Sequence, residues 1–216
     1  MASVNYRLSP YPSHPTDPSS PEDGSRTAQH PAHIKDVLTA IAWLQMTYDF
    51  GENYLLVGHS CGATLALQAI MRPWTLDTKE FKLKLPIGVV GIEGIYDLAL
   101  LVKTHSHPIY REFVEGAFGD PSNWEDASPT SAMVSQSWLN GKIVVLAHSS
   151  EDELVDWAQT EAMCDQLWKE KRSSRRDTVI KLKGNHDVIW EEGKEMAKAI
   201  ELAFEMLDSI SEVLIS

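Results

Sequence analysis

The stretch NYLLVGHSCGATLALQAIM, residues 53–71, decides the fold of this 216-residue chain. An apolar run of strand length, residues 53–57, comes first, and a segment of helix-forming residues, 63–71, comes last. Between them lies a Gly-x-Ser-x-Gly turn, which is typical of a sharp bend that exposes a nucleophilic serine at the carboxyl end of a strand. The sequence therefore predicts a strand, a tight turn and a helix, with Ser60 as the nucleophile.

Two other interpretations of this turn stay open. The turn could be purely structural, or the thiol of Cys61 could act in place of the Ser60 hydroxyl. The position directly after the nucleophile favours another role for Cys61, because its backbone N–H would donate to the oxyanion of an acyl-transfer intermediate. We expect glycine at both 58 and 62, since a Cβ at either position would strike neighbouring backbone.

Apolar strands and amphipathic helices recur along the chain. Besides residues 53–57, strands are predicted at 2–6, 86–92, 143–148 and 178–182, and further helices at 32–48, 154–171 and 188–209. This alternation predicts an α/β fold with a mostly parallel sheet covered by helices on both faces. Residues 97–138 are rich in aromatic side chains without a sheet strand, which predicts a helical, lid-like excursion within a single domain spanning residues 1–216.

A serine nucleophile needs an imidazole base and an orienting carboxylate, which in this fold class follow the serine in the order acid, then histidine. The short loop after the predicted strand 178–182 carries His186 just before a helix, so His186 is the predicted base. Among the acids after strand 143–148 we prefer Asp152.

The choice of acid rests on the sequence after the strand, Ser-Ser-Glu-Asp-Glu-Leu-Val. Asp152 begins an Asp-x-x-Val sequence in which Val155 would anchor the following helix. Glu153 is expected to be a first-turn charge that complements the dipole of that helix. Glu151, or a merely solvated acidic turn, remains the alternative to Asp152.

Composition excludes several classes of protein. With 31 acidic and 19 basic residues, the formal charge of −12 repels nucleic acid and anionic lipid. No run approaches the roughly 20 apolar residues of a membrane span, and the N-terminus lacks the apolar region of a signal peptide. Two cysteines are too few for a disulfide framework. We therefore expect a cytoplasmic protein.

Two histidine pairs invite a metal-binding interpretation. They are His30 with His33 and His105 with His107. No acid or cysteine at usable spacing completes a site around either pair. We expect solvated or capping histidines and no metal.

The segments around these residues resemble the kynurenine formamidases of the fungal type, which are α/β-hydrolases. The similar segments are VNYRLSP, HPAHIKDVLTAIAWL, LLVGHSCGATLALQ, GIEGIYDL, YREFVEGAFGDPSNWEDASP, HSSEDELV and GNHDVIW, and they extend from Val4 to about Leu207. The resemblance implies hydrolysis of N-formyl-L-kynurenine to L-kynurenine and formate, in tryptophan breakdown towards NAD. It implies Ser60 as nucleophile, Asp152 as orienting acid and His186 as base, and neither a metal nor an organic cofactor.

The aminophenyl ring of that substrate would need an aromatic lining. Tyr96, Phe113 and Trp124 are the candidate substrate-binding residues, with packing in a helical core layer as the alternative for each. A broader carboxylesterase of the same fold is the second functional hypothesis.

One departure from the family pattern affects these expectations. Similar enzymes carry a His-Gly-Gly-x-Trp segment that supplies part of the oxyanion hole, and this sequence contains no His-Gly-Gly. The chain begins where the family's fourth strand would begin, so we expect a truncated sheet that lacks three strands and has a gap between residues 2–6 and 53–57. A catalytically impaired form that acts as a binding or dimerisation partner is therefore the third hypothesis, and a homodimer stays open.

Overall fold

The central feature of the computed structural model is a four-stranded parallel sheet. The model describes residues 1–14, 16–20, 22–71, 82–170 and 174–213. The strands lie in the sheet in chain order: β1 Leu55–His59, β2 Gly88–Ile92, β3 Ile143–Ser149 and β4 Arg176–Leu182. All three pairings are parallel, so the four carboxyl ends meet at one edge of the sheet. The predicted α/β class and these four strands are confirmed.

Helices separate the strands and supply most of the connections. They are α1 Ala32–Tyr48, α2 Cys61–Gln68, α3 Leu98–Thr104, α4 Pro108–Phe118, α5 Trp124–Ala127, α6 Val134–Ser137, α7 Trp157–Lys169, α8 His186–Glu192 and α9 Lys194–Val213. The predicted helix over 188–209 is two helices, because Gly193 adopts a left-handed conformation (φ 71°) that ends α8. Among the described helices, none is long and apolar enough to cross a membrane.

The sheet has an apolar core on each face. Neighbouring residues of β2 and β3 alternate between the two faces, as strand geometry requires. Val89 and Val144 pack on one face with residues of α2 and α7. Val90 and Val145 pack on the other face with residues of α9. Continuous apolar strands are therefore needed, because both faces of the sheet are covered.

The prediction of a strand at residues 2–6 is wrong. The segment has no regular secondary structure; Val4 and Tyr6 pack partly buried against residues of α1 and α2. The next residue, Arg7, is held by Asp36 of α1, with Nε to Oδ2 and Nη2 to Oδ1 both 2.8 Å. Apolar alternation gave the segment strand propensity, but a strand forms only with a neighbour to pair with. Within the described part of the chain, β1 is thus an edge strand.

The excursion at 97–138 is helical, as its sequence indicates. It contains α3 to α6 and two 3₁₀ turns, Pro121–Asn123 and Pro129–Ser131. Asp97 caps α3, where its Oδ1 accepts a hydrogen bond from the Leu100 amide at 2.8 Å. The excursion has its own buried cluster around Leu101 and Val114. Its function as a lid stays a prediction.

Candidate active site

Ser60 occupies a sharp turn at the end of β1. Its φ of 54° and ψ of −124° place a non-glycine residue in a conformation that costs about 1–3 kcal/mol. Backbone hydrogen bonds hold it there: the Ser60 amide donates to Ile92 O at 2.8 Å, and Ser60 O accepts from the Ala63 amide at 3.0 Å. The strand, turn and helix predicted around Ser60 are all present.

The two glycines of the turn differ in what they require. A Cβ at Gly58 would lie 2.1 Å from the carbonyl oxygen of Gly62 and 2.6 Å from the Ala63 nitrogen. A Cβ at Gly62 would meet nothing within 4 Å. The expectation that both positions exclude a side chain is therefore confirmed at Gly58 and wrong at Gly62, because Gly62 already lies in the first turn of α2 and faces open space.

We expect Gly58→Ala to lower the free energy of unfolding by about 3 kcal/mol or more, because α2 would have to move away from β1. Gly62→Ala is the matched control and should change stability by less than about 1 kcal/mol, in the stabilising direction, since alanine favours a helix. Urea unfolding of both variants measures the difference. Equal destabilisation by the two substitutions would contradict this assignment of the close contact.

His186 and Asp152 form a hydrogen-bonded pair at the carboxyl edge of the sheet. His186 is the first residue of α8, and its Nδ1 donates to Oδ2 of Asp152 at 2.8 Å. A carboxylate only accepts, so Nδ1 carries the proton and Nε2 of the neutral ring is left as a proton acceptor. Oδ1 of Asp152 accepts from the amides of Leu154 and Val155, both at 2.9 Å.

These contacts favour Asp152 over its neighbours as the acid. The Asp152 side chain has no exposed surface, whereas Glu151 is exposed. Val155 is buried, and it packs in the cluster of the excursion. The expected role of Glu153 at the following helix is wrong: its carboxylate accepts from the His186 amide at 3.2 Å and so lies at the start of α8.

His148, on β3, contacts the side chain of Asp152, and the sequence analysis assigned no role to this histidine. Its ring is fully buried at the end of β3. Nε2 donates to the Val155 carbonyl at 2.9 Å and lies 3.4 Å from Oδ2 of Asp152, and Nδ1 is 2.7 Å from the Thr160 hydroxyl. Both ring nitrogens are thus occupied, which fixes the loop that carries Asp152.

A second buried carboxylate, that of Glu93, faces the same imidazole. Glu93 follows β2 directly and has no exposed surface. Its Oε2 lies 3.1 Å from Nε2 of His59 and 3.6 Å from Nδ1 of His186. The rings of His59 and His186 are in contact, with centroids 4.5 Å apart. Sequence analysis did not identify Glu93; its position directly after a buried strand was the signal that could have found it.

The charges around His186 shift its protonation. Burial lowers the pKa of His186, but the hydrogen bond to Asp152 and the charges of Asp152 and Glu93 outweigh it, so the pKa lies above its ordinary value. Burial raises the pKa of Asp152, but bonds from His148 and His186 outweigh it and hold that pKa well below its usual range. The ionised pair therefore stabilises the fold between about pH 4 and pH 6.5. The Asp152 contribution is lost as pH falls through its lowered pKa, and the His186 contribution as pH rises through its raised pKa.

One group of side chains in the described residues is compact enough to share a metal ion. Ligand atoms of His59, Glu93 and His186 all lie within 4.8 Å of one another. The Asp152 bond already occupies Nδ1 of His186, and His59 already bonds Glu93, so we interpret the group as a hydrogen-bonded network. Elsewhere, His107 caps α4, as expected, whereas His33 is buried and bonds Ser9, so His33 is neither solvated nor a cap.

The other predicted site residues lie in different surroundings. Cys61 is exposed as the first residue of α2, where backbone N–H groups lack partners within the helix. Tyr96 is fully buried in the core beneath the sheet, and Trp124 is buried in the cluster of the excursion. Phe113 is half-buried against Tyr110. This packing favours the core alternative for Tyr96 and Trp124; a substrate-binding role for the three stays a prediction.

Solved structures share this fold at low sequence identity. An acetyl ester-xyloside bifunctional hydrolase from Caldicellulosiruptor lactoaceticus is similar with a TM-score of 0.63 and 17% identity, over 86% of this chain and 69% of that chain. A propionate-bound esterase, Est2, from Thermogutta terrifontis is similar with a TM-score of 0.60 and 18% identity, over 87% and 68%. These likenesses show the α/β-hydrolase fold.

Sequence comparison identifies nearer relatives, although no protein-family model matches the chain. The kynurenine formamidase-like hydrolase fscH of Fusarium equiseti is 39% identical over 217 aligned positions, and the alignment covers 98% of this chain and 72% of that protein. Kynurenine formamidase avaC of Aspergillus versicolor is 37% identical, over 88% of this chain and 69% of that protein. With this identity over most of both chains, and with the hydrolase fold, the chain belongs to the kynurenine formamidase family.

Proposed function

We propose that this protein is a serine hydrolase that cleaves N-formyl-L-kynurenine to L-kynurenine and formate. The observation that carries the proposal is the 2.8 Å bond between His186 and Asp152, at the sheet edge where the strained turn presents Ser60. The family relationship supports the aryl formamide as substrate. The small size of that substrate fits a protein whose net charge of −12 disfavours polyanions.

The proposed reaction has two steps, formylation of Ser60 and then hydrolysis of the formyl ester. The Ser60 hydroxyl gives its proton to Nε2 of His186 while its oxygen attacks the formyl carbon. The oxyanion would accept a hydrogen bond from the Cys61 amide. The C–N bond then breaks, and the leaving arylamine takes the proton from Nε2.

Water completes the reaction by the same route. It gives a proton to His186, attacks the formyl ester on Ser60, and releases formate with return of the proton to the Ser60 oxygen. Throughout both steps Nδ1 keeps its proton, because the carboxylate of Asp152 holds it there.

A broader carboxylesterase is the second candidate, favoured by the esterases among the structural neighbours. A binding or dimerisation partner is the third, and it is disfavoured by the intact His186–Asp152 pair. The cytoplasmic location and the homodimer stay predictions from the sequence.

The deciding experiment compares formate release from N-formyl-L-kynurenine with hydrolysis of short p-nitrophenyl esters by the purified chain. We expect kcat/KM for the formamide to exceed that for the esters, with fluorophosphonate labelling at Ser60. Efficient ester hydrolysis without preference for the formamide would assign the esterase role. Absence of both turnover and labelling would leave the binding role.

A further inference from the structure

We propose that Glu93 is a positioning residue for the base: its buried carboxylate holds His59 and His186 side by side and stabilises the imidazolium that forms when His186 accepts a proton. This inference rests on the proposed function, because it concerns the same imidazole. It adds a second carboxylate to the Asp152–His186 pair. No proton moves to Glu93 in the reaction; the proton travels between Ser60, the leaving group and Nε2 of His186.

The first support is the placement of the carboxylate. Oε2 of Glu93 is 3.1 Å from Nε2 of His59 and 3.6 Å from Nδ1 of His186. The first distance is a hydrogen bond and the second is a charge contact. Because His59 also touches the His186 ring, at 4.5 Å between centroids, Glu93 reaches the base both directly and through His59.

The second support is that a contribution to the stability of the fold does not account for a glutamate at position 93. Glu93 has a φ of 48°, and among the described residues only Asp49 and Ser60 share a positive φ without being glycine. Its side chain has no exposed surface, and within the described part of the chain Oε1 has no hydrogen-bond partner. Strained backbone and an unsatisfied buried acceptor both destabilise a fold, and such features gather at functional sites.

The third support is electrostatic. The titratable groups that face the His186 ring come from four parts of the chain: Asp152 and Glu153 after β3, Glu93 after β2, His59 at the end of β1, and Asp187 on α8. Glu93 and Asp152 are the acids whose carboxylates approach Nδ1 itself. Burial shields the Glu93 charge from solvent, so it acts on His186 more strongly than an exposed charge would.

The test is an NMR titration of the His186 ring in the full chain carrying Ser60→Ala, so that no turnover is needed. We expect Glu93→Gln to lower the pKa of His186 by about one unit, because an anion close to the ring is removed. Asp187→Asn is the matched control: it also removes a carboxylate near His186, but an exposed one, so its shift should be smaller and should vanish in high salt. A shift in Glu93→Gln no larger than in Asp187→Asn would overturn the proposal.

Kinetics with Ser60 intact separate charge from position. Glu93→Asp keeps the negative charge, and aspartate adopts the left-handed conformation of position 93 readily. Its side chain is one methylene shorter, so the carboxylate lies farther from His59. We expect its acid-limb pKa to stay near that of the unsubstituted enzyme, with kcat lowered about tenfold by misplacement of the imidazole. Unchanged kcat in Glu93→Asp would overturn the positioning role, and this variant decides if Glu93→Gln does not fold. Failure of the formamidase assignment would instead appear as an inactive unsubstituted chain, while the ring titration would still report on Glu93.

Discussion

Replacing Ser60 by alanine is expected to lower hydrolysis by about 10⁵–10⁶-fold, the scale of loss when a triad nucleophile is removed. The hydroxyl carries the attacking oxygen, and the methyl group of alanine cannot replace it. Folding should be nearly unchanged, because the alanine methyl group fills the place of the serine Cβ on a partly exposed turn. Formate release and a thermal melt measure the two effects.

Cys61→Ala is the matched control for the nucleophile. It removes the neighbouring thiol, which lies 3.4 Å from the Tyr6 hydroxyl, but keeps the backbone N–H that the oxyanion would use. We expect activity within about tenfold of the unsubstituted enzyme and retained fluorophosphonate labelling. If Ser60→Ala kept comparable activity and Cys61→Ala abolished it, the thiol would be the nucleophile.

Asp152→Asn is expected to lower kcat by about 10⁴-fold. The amide would donate to Nδ1 of His186 where the carboxylate accepts, so the ring would carry its proton on Nε2, facing the nucleophile. The Asn oxygen can still accept from the Leu154 and Val155 amides, so the loop should keep its shape. Steady-state kinetics and a thermal melt separate the chemical effect from the structural one.

Glu151→Gln serves as the control for the acid because it makes the same chemical change at the preceding, exposed position. Its kcat should match that of the unsubstituted enzyme. A large loss in Glu151→Gln together with a small one in Asp152→Asn would show that the acid has been placed one residue out of register.

Local sequence was enough for the features that contiguous residues determine. The turn at Ser60 follows from an apolar strand, the close contact at Gly58 and a helix that are adjacent in the chain. The preference for Asp152 over Glu151 relied in the same way on a nearby residue, Val155, which is buried as its spacing indicated; the choice of acid stays a prediction. In both cases the physical constraint lies within a few residues.

Features that depend on distant partners could not be predicted in the same way. Residues 2–6 have strand propensity, but no strand lies beside them in the described part of the chain. Glu93 and His186 are far apart in sequence, so only the parallel register of β2 to β4 brings the carboxylate to the imidazole. The break at Gly193 was missed because apolar periodicity continues across it.

The four groups of the candidate site lie at one edge of the sheet, and each follows a different strand. β1 delivers Ser60, β2 delivers Glu93, the loop after β3 delivers Asp152, and the loop after β4 delivers His186. A slip of one residue in the β1–β2 or β3–β4 pairing would displace one group by about 3.3 Å relative to the other three, and the same slip between β2 and β3 would displace two groups relative to the other two. Activity therefore requires all three strand pairings to be intact. Partial unfolding that detaches a single strand is enough to abolish activity while most of the secondary structure persists.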